Sequence, residues 1–376
     1  MQLSVWEKES FYAPADIIIA GGGFAGLWSA FYLIKKNPTL RITLVDRGIF
    51  PTGASTRNAG FACFGSVTEL LSDASEIGED KMLELVEMRF SGLSAIRQIF
   101  KKKEIDYEAC GGYELINATT TARIEELSAQ INGLNKKLYP ITGKKSTYDF
   151  TDDKIKKFGF HHISHLIRTK QEGSLHPGKL CQELLRKIQA MGVNVIFGLE
   201  IIRYEQESST ITVFTSSGIS LKTQKLIVCT NVFAQQLLPE IQVIPARGQV
   251  LVTSPINALK IKGTFHYDQG FYYFRNLGNR LLIGGARNTA IEQEATDELC
   301  TTENIQHTLE AFISRHLLAG ITFTVTDRWS GIMGMGTEKM PIVKKISENV
   351  YCAVQLSGMG VALAPVVGKK IATLVS

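Results

Sequence analysis

The sequence predicts an α/β fold: a parallel sheet assembled from separated pieces of chain, with an inserted part made of a mainly antiparallel sheet and helices. Three observations point there. Asp16–Asp46 reads strand, glycine turn, helix, strand, an order whose parallel strands need a crossover helix. Strand-like runs between Val193 and Thr230 form a meander that returns the chain to that sheet. A strand, loop and helix pattern beginning at Asn349 closes the chain, after further strands from Ala246 to Gly284 set apart by turn signals.

Asp16–Ala20 (DIIIA) has the unbroken apolar character of a buried strand, and Gly21–Gly26 is a tight turn. Leu27–Lys36 is a helix that stops before Asn37-Pro38, and Leu40–Asp46 is the second strand. Helical spacing runs from Glu69 to Phe100 and again over Ala122–Leu138, with a strand around a glycine turn in YEACGGYELI between them. His176-Pro177-Gly178 introduces the helix Lys179–Ala190. The meander is VNVIFG, LEIIRYEQES, STITVFTSS and LKTQKLIVCT. Ala246–Thr253, Phe271–Phe274 and Arg280–Gly284 are strands of an antiparallel sheet, and Thr302–His316 is a helix.

With 376 residues, 44% hydrophobic and 20% charged, the composition is that of a globular enzyme with room for two domains. A net charge of +5 is mild and scattered, so nucleic acid is not an expected partner. Six widely spaced cysteines with no CxxC suggest free thiols in a reducing, cytoplasmic setting. MQLSVWEKESFYAPAD lacks the basic and apolar regions of a signal peptide. Ile17–Ile34 and Asn349–Gly368 are uncharged and long enough to span a bilayer. The first is broken by Gly21-Gly22-Gly23, which would strand backbone polar groups in lipid, so no membrane span is expected.

Gly21-x-Gly23-x-x-Gly26 follows a strand and opens a helix, the context of a Rossmann-like dinucleotide fingerprint. Gly21 permits the turn, Gly23 admits the pyrophosphate, and Gly26 lets helix and strand pack, with Phe24 and Ala25 starting the helix. Free helix N–H groups then face the phosphates. Asp46 lies 20 residues beyond Gly26, at a strand end where a carboxylate accepts from ribose hydroxyls, and Arg47 follows it.

Two further stretches narrow the dinucleotide. Gly53-Ala-Ser-Thr-Arg-Asn-Ala-Gly60 follows Asp46, and Gly358-Met-Gly360-Val-Ala-Leu-Ala-Pro365 lies near the C-terminus. With SLHPGKL, GVNVIFG-x-x-I, CTN, ARGQ and GNRLLIGG, they resemble the FAD-dependent amino-acid and amine oxidase family of glycine oxidase, sarcosine oxidase and D-amino-acid oxidase. The likeness covers nearly the whole chain. It implies a discontinuous FAD-binding domain of residues 1–65, 160–240 and 325–376, and a substrate-binding domain of residues 66–159 and 241–324. It also implies FAD contacts at Ser55, Thr56, Arg57, Asn58, Ile201, Thr230, Gly358, Met359, Gly360 and Val361. The residues suit this: small side chains admit a flat ring, Arg57 brings fixed charge, and helix N–H groups after Gly358 suit an anionic reduced flavin. Some relatives attach flavin through a histidine near the first loop or a cysteine in the last third. Asn58 stands at the first position and no cysteine lies in Trp329–Pro341, so the resemblance implies non-covalent FAD.

Amino-acid-oxidising relatives carry an arginine that grips the substrate carboxylate. Aligned on Gly331, Glu338 and Pro341, Met333 stands in its place. The stretch is similar to the branch acting on amines such as γ-glutamylputrescine; a flexible core loop with adaptable methionines is the other reading. In GFYYFRN, alternation puts Phe271, Tyr273 and Arg275 on one face and Tyr272 and Phe274 on the other, so Tyr273 and Arg275 are candidates for the pocket, with Arg287 and Arg247 as further anchors. His161, His162 and His165 have no nearby carboxylate or cysteine in sequence to complete a metal site, and none is expected. The catalytic candidates are thus Arg57, Tyr273, Arg275 and Met333. The expected activity is oxidation of the C–N bond of a small amine or amino acid by hydride transfer to flavin N5, giving an imine that water hydrolyses. The alternatives are an FAD dehydrogenase or monooxygenase acting on a non-amine, or a non-catalytic FAD-binding subunit. Oxygen and a carrier both stand open as electron acceptor.

Overall fold

The structure is a computed structural model, and it describes residues 2–117 and 124–375. Its first sheet has Ala15–Ala20 at the centre, flanked in parallel by Ile42–Asp46 and Ser220–Val228. Asn194–Phe197 extends one side and Val350–Val354 the other, both parallel, while Ile342–Lys345 adds an antiparallel edge. Ile201–Glu207 and Thr210–Thr215 join as an antiparallel meander on Ser220–Val228. Strand Ala15–Ala20 is apolar throughout except Asp16 because helices cover one face and the meander the other.

The helices Phe24–Lys36, Glu79–Ile99 and Gly360–Leu374 stack on that sheet in one large apolar cluster. Gly92 sets the closeness of two of them. A methyl group on it would lie 1.8 Å from the Ala362 carbonyl oxygen. The expected single helix over Glu69–Phe100 is two, Val67–Ile77 and Glu79–Ile99, because Gly78 takes φ +87° between them. The helix expected over Ala122–Leu138 is Ile124–Thr142, with Ala122 and Arg123 outside the described residues.

The second sheet runs Val325–Met335, Ile244–Thr253, Arg280–Gly285, Tyr272–Leu277, Thr264–Tyr267, Gly112–Asn117, Ile163–Thr169 and Asp149–Phe150. It is antiparallel except where Thr264–Tyr267 meets Gly112–Asn117. Two of its members revise the sequence reading. Ile163–Thr169 pairs here, although the family resemblance implies that residues 160–240 belong to the FAD-binding part. Val325–Met335, for which a flexible loop from Trp329 is one of the two readings above, is an eleven-residue strand in register with Ile244–Thr253. Its glycines fit beside close neighbours; a methyl on Gly331 would lie 3.0 Å from Arg57 Cβ.

Among the described residues no helix is long and apolar enough to cross a membrane. The two uncharged segments are each divided between a strand and a helix. All six cysteines are free thiols.

Candidate functional site: a cavity joining the two sheets

One cavity of about 690 Å³ is lined from both sheets. At one end lies the glycine turn. Gly21 has φ +107°, and a methyl there would lie 2.6 Å from the Cys229 carbonyl oxygen. A methyl on Gly26 would lie 1.9 Å from Gly21 O, so this glycine closes helix against turn without lining the cavity. Gly23, Phe24 and Ala25 do line it. Ser55 Oγ accepts from the Phe24 amide at 2.8 Å, which ties the GASTRNAG segment to the helix start.

Asp46 is held from two sides. Its Oδ2 accepts from the Gly22 amide at 2.6 Å and its Oδ1 from the Gly48 amide at 2.8 Å. Arg47 stacks its guanidinium 3.8 Å from the Phe233 ring centroid, and both residues line the cavity with Ile201 and Thr230. Thr230 Oγ1 is buried and has no protein partner among the described residues. A desolvated hydroxyl on a cavity wall calls for a polar ligand or water.

Further along, Gly53 precedes the short helix Ala54–Arg57, which is stapled to the second sheet. Arg57 Nε donates to Thr52 O at 2.7 Å and its NH1 to Ser330 O at 3.0 Å, while Trp329 Nε1 donates to Arg57 O at 2.9 Å. Asn58 closes its own turn through Ala54 O and Ser55 O and lines the cavity. Thr56 corrects an expectation: its hydroxyl donates to Pro51 O at 2.6 Å and it is not on the cavity wall. Opposite, Ser357 and Gly358 have φ of +45° and +78°, and the helix from Gly360 points its first turn at the cavity through Gly360 and Val361, beside Met359. Met333 lies against this turn, its Sδ 3.2 Å from where a Gly358 methyl would be.

The far end is ionic. Tyr273 lines it, and burial pushes its phenol up to about 12. Arg287 stands close enough for its charge to act on the Tyr273 phenol, and burial lowers its guanidinium from the ordinary value. Arg275 does not reach the cavity, which corrects its ranking as first anchor. It is buried, and its NH1 donates to Gly60 O and Leu175 O, each at 3.0 Å. Arg247 is likewise engaged elsewhere, in a buried ion pair with Glu294 at 2.9 Å.

Sequence reasoning missed a further part of this lining, made of Cys63, Glu69, Ser72, Glu76, Arg89 and His266, with His266 the cross-strand partner of Tyr273. The signal was present: Glu69, Ser72 and Glu76 recur at helical spacing on one face. Arg89 NH1 donates to Glu69 Oε1 at 3.0 Å. Burial pushes the Glu69 carboxyl up, but Arg89, His266 and Lys339 outweigh it and hold the group below the usual carboxylate value.

This geometry has known counterparts. Residues 16–374 match the family model described as DAO, FAD dependent oxidoreductase. Gamma-glutamylputrescine oxidoreductase of Escherichia coli is 24% identical, over 96% of this chain and 83% of its own length. The probable oxidoreductase OrdL of Haemophilus influenzae is 22% identical, over 95% of this chain and 82% of its own. An L-2-hydroxyglutarate dehydrogenase of Indibacter alkaliphilus is 23% identical over 62% of this chain and 56% of its own. Among solved structures, glycine oxidase from Geobacillus kaustophilus superposes with TM-score 0.77 at 18% identity, covering 96% of this chain and 94% of that one. L-proline dehydrogenase from P. horikoshii gives 0.77 at 17%, covering 96% and 93%. Glycine turn, acid-held loop, unpartnered threonine and late helix start thus line one space fit for a long dinucleotide, and from residue 16 to residue 374 the chain belongs to the FAD-dependent oxidoreductase family and is an FAD enzyme.

Proposed function

We propose that this enzyme oxidises the C–N bond of a small amine or amino acid, and that it holds FAD without a covalent link. The observation that carries the reading is the continuity of the cavity. A single space joins the glycine turn to a limb walled by Tyr273, Arg287, Glu69 and His266. A cofactor and a small ionic molecule therefore share one enclosure. The amine- and amino-acid-directed names among the relatives agree with it.

Bound FAD supplies a two-electron acceptor for hydride. The chain's own residues do the rest. Asp46, Thr230 and the turns at Gly23 and Gly358 hold the dinucleotide, with the first sheet as the FAD-binding part and the second as the substrate-binding part. Met333 and Tyr273 form an apolar wall that excludes water and orients the reacting carbon. Arg287 takes the anchoring role first assigned to Arg275, receiving a carboxylate where the substrate carries one. Arg57, fixed by Thr52 and Ser330, adds positive charge at the edge of the first loop.

Anaerobic bleaching of the flavin by a panel of primary and secondary amines, D- and L-amino acids and L-2-hydroxyglutarate tests the reading. Amines or amino acids are expected to bleach it; reduction by the hydroxy acid alone would refute it. Acid precipitation should release all flavin to the supernatant, and flavin retained in the pellet would refute non-covalent binding.

A further inference from the structure

Beside Tyr273 on the cavity lining, a buried imidazole with no partner among the described residues lies near a carboxylate. His266 is 6% exposed, and neither ring nitrogen has a partner among the described residues, yet the ring lines the cavity. Leaving both nitrogens desolvated is unfavourable unless a ligand or water meets them. Glu69 approaches the same place. Its Oε1 receives the Arg89 hydrogen bond, and the Ser66 backbone also steadies the carboxyl at the helix start. At Gly270, also on the cavity wall, a methyl group would lie 3.6 Å from Glu69 Oε2 and 3.9 Å from His266 Nδ1. A carboxylate oxygen and an imidazole nitrogen thus converge on one point.

We propose that Glu69 and His266 form the pocket for the substrate's amine nitrogen, in which a substrate ammonium donates one N–H to Glu69 Oε2 and transfers another proton to a ring nitrogen of His266. This rests on the amine reading given above. The N–H bond breaks with its electrons left on nitrogen, and His266 becomes the imidazolium. The freed lone pair then forms the C=N bond as hydride leaves the carbon for the flavin, so the iminium carries the remaining positive charge. Two electrons go to the flavin and one proton to His266.

The surroundings keep the free ring neutral and set Glu69 as the group that favours its cation. Glu69 and Arg89 face His266 from the helices, and Glu114 and Tyr273 are its register neighbours on the adjoining strands. Glu172 and Tyr148 border a small void that His266 also lines. The Phe61 ring meets it edge to face at 5.2 Å between centroids. Burial lowers the imidazole from its ordinary value and Arg89 lowers it further, while Glu69 raises it. The free ring is therefore neutral and able to accept, and the carboxylate favours the cation once formed.

The test uses the holoenzyme and n-butylamine as probe. Wild-type anaerobic flavin reduction should already be fast near neutral pH. In His266→Gln it should fall ~100-fold there and recover as pH approaches the free amine's own pKa of about 10.4, because the amine then arrives deprotonated. Imidazole should restore neutral-pH reduction in His266→Ala. A His266→Gln profile matching wild type, or a loss equal at every pH and not relieved by imidazole, would overturn the proposal. A second arm needs no turnover. In dithionite-reduced holoenzyme, n-butylammonium should shift the His266 ring resonances, and Glu69→Gln should raise the Kd read from that shift ~10–100-fold. Should no amine of the panel reduce the wild-type flavin, the functional reading fails, and this binding arm alone decides the pocket: no shift, or equal affinity in Glu69→Gln, overturns it.

Discussion

Asp46→Ala perturbs two things that can be measured apart. The carboxylate accepts from the Gly22 amide at 2.6 Å and the Gly48 amide at 2.8 Å, so it clamps the glycine turn to the loop after the second strand. It also lines the cavity, where the proposed reading has it accept from a ribose. Removing it frees both amides, and a hydrogen bond to a charged group is worth about 1.5–3 kcal/mol. The side chain is half-buried, so water replaces part of what the clamp loses, and the apoprotein should be destabilised by about 1–3 kcal/mol. The FAD contact is a separate loss of about 1.5–3 kcal/mol, which raises Kd ~10–150-fold. Quenching of flavin fluorescence on titrating apoprotein gives the Kd, and thermal melting of the apoprotein gives the clamp. A lowered melting temperature with FAD affinity within about twofold of wild type would refute the ribose role and leave Asp46 a turn clamp alone.

Other substitutions probe the remaining architecture. Arg287→Met should raise the Kd of a carboxylate-bearing substrate by about 10–100-fold without releasing FAD. Arg275→Met should instead leave substrate affinity alone and destabilise the fold by about 2–4 kcal/mol, because the Leu175 carbonyl loses the guanidinium and the Gly60 carbonyl keeps only the Leu175 amide; equal substrate effects would refute the exchange of roles. Gly92→Ala places a methyl 1.8 Å from Ala362 O and should destabilise by about 1–3 kcal/mol while weakening FAD binding through the neighbouring Gly360–Val361; unchanged melting refutes the close approach. Burial raises Glu114 to about 7 and Glu172 to about 8. Folded values above the ordinary 4.5 mean that the folded state keeps its protons longer, so stability is greatest at and below that value and declines as pH rises toward 8. Glu172→Gln should flatten that decline in melting temperature between pH 5 and 8, and an unchanged slope would refute the assignment.

The parallel core was readable because its signals are local. DIIIA, the glycine turn and LRITLVD each specify their own element, and the observed strands fall within two residues of them. The second sheet was less legible. Thr264–Tyr267 is short and buried on both faces, so it has no alternation to detect, and Val325–Met335 contains two glycines that read as loop until a neighbouring strand fixes them. The same limit separated the cofactor side of the cavity from the substrate side. Turns that approach a ligand with their backbone are written in glycine. Which arginine faces inward depends instead on sheet packing: Arg275 and Tyr273 share a face, yet Arg275 ends under carbonyls of the Gly60 and Leu175 segments. His266 left no trace in spacing at all, since its role depends on a helix 197 residues upstream at Glu69.

The arrangement of the first sheet also orders the birth of the enzyme. Ala15–Ala20 and the glycine turn leave the ribosome well before one flank of that strand, Ser220–Val228, and before Val350–Val354 and the helix Gly360–Leu374. Until those arrive, the apolar faces of Ala15–Ala20 and Phe24–Lys36 lack part of their cover. Pairings this distant along the chain form slowly and leave exposed surface for chaperones to shield. The cavity wall at Gly358–Val361 is therefore completed only when the helix Gly360–Leu374 docks against the helix Phe24–Lys36.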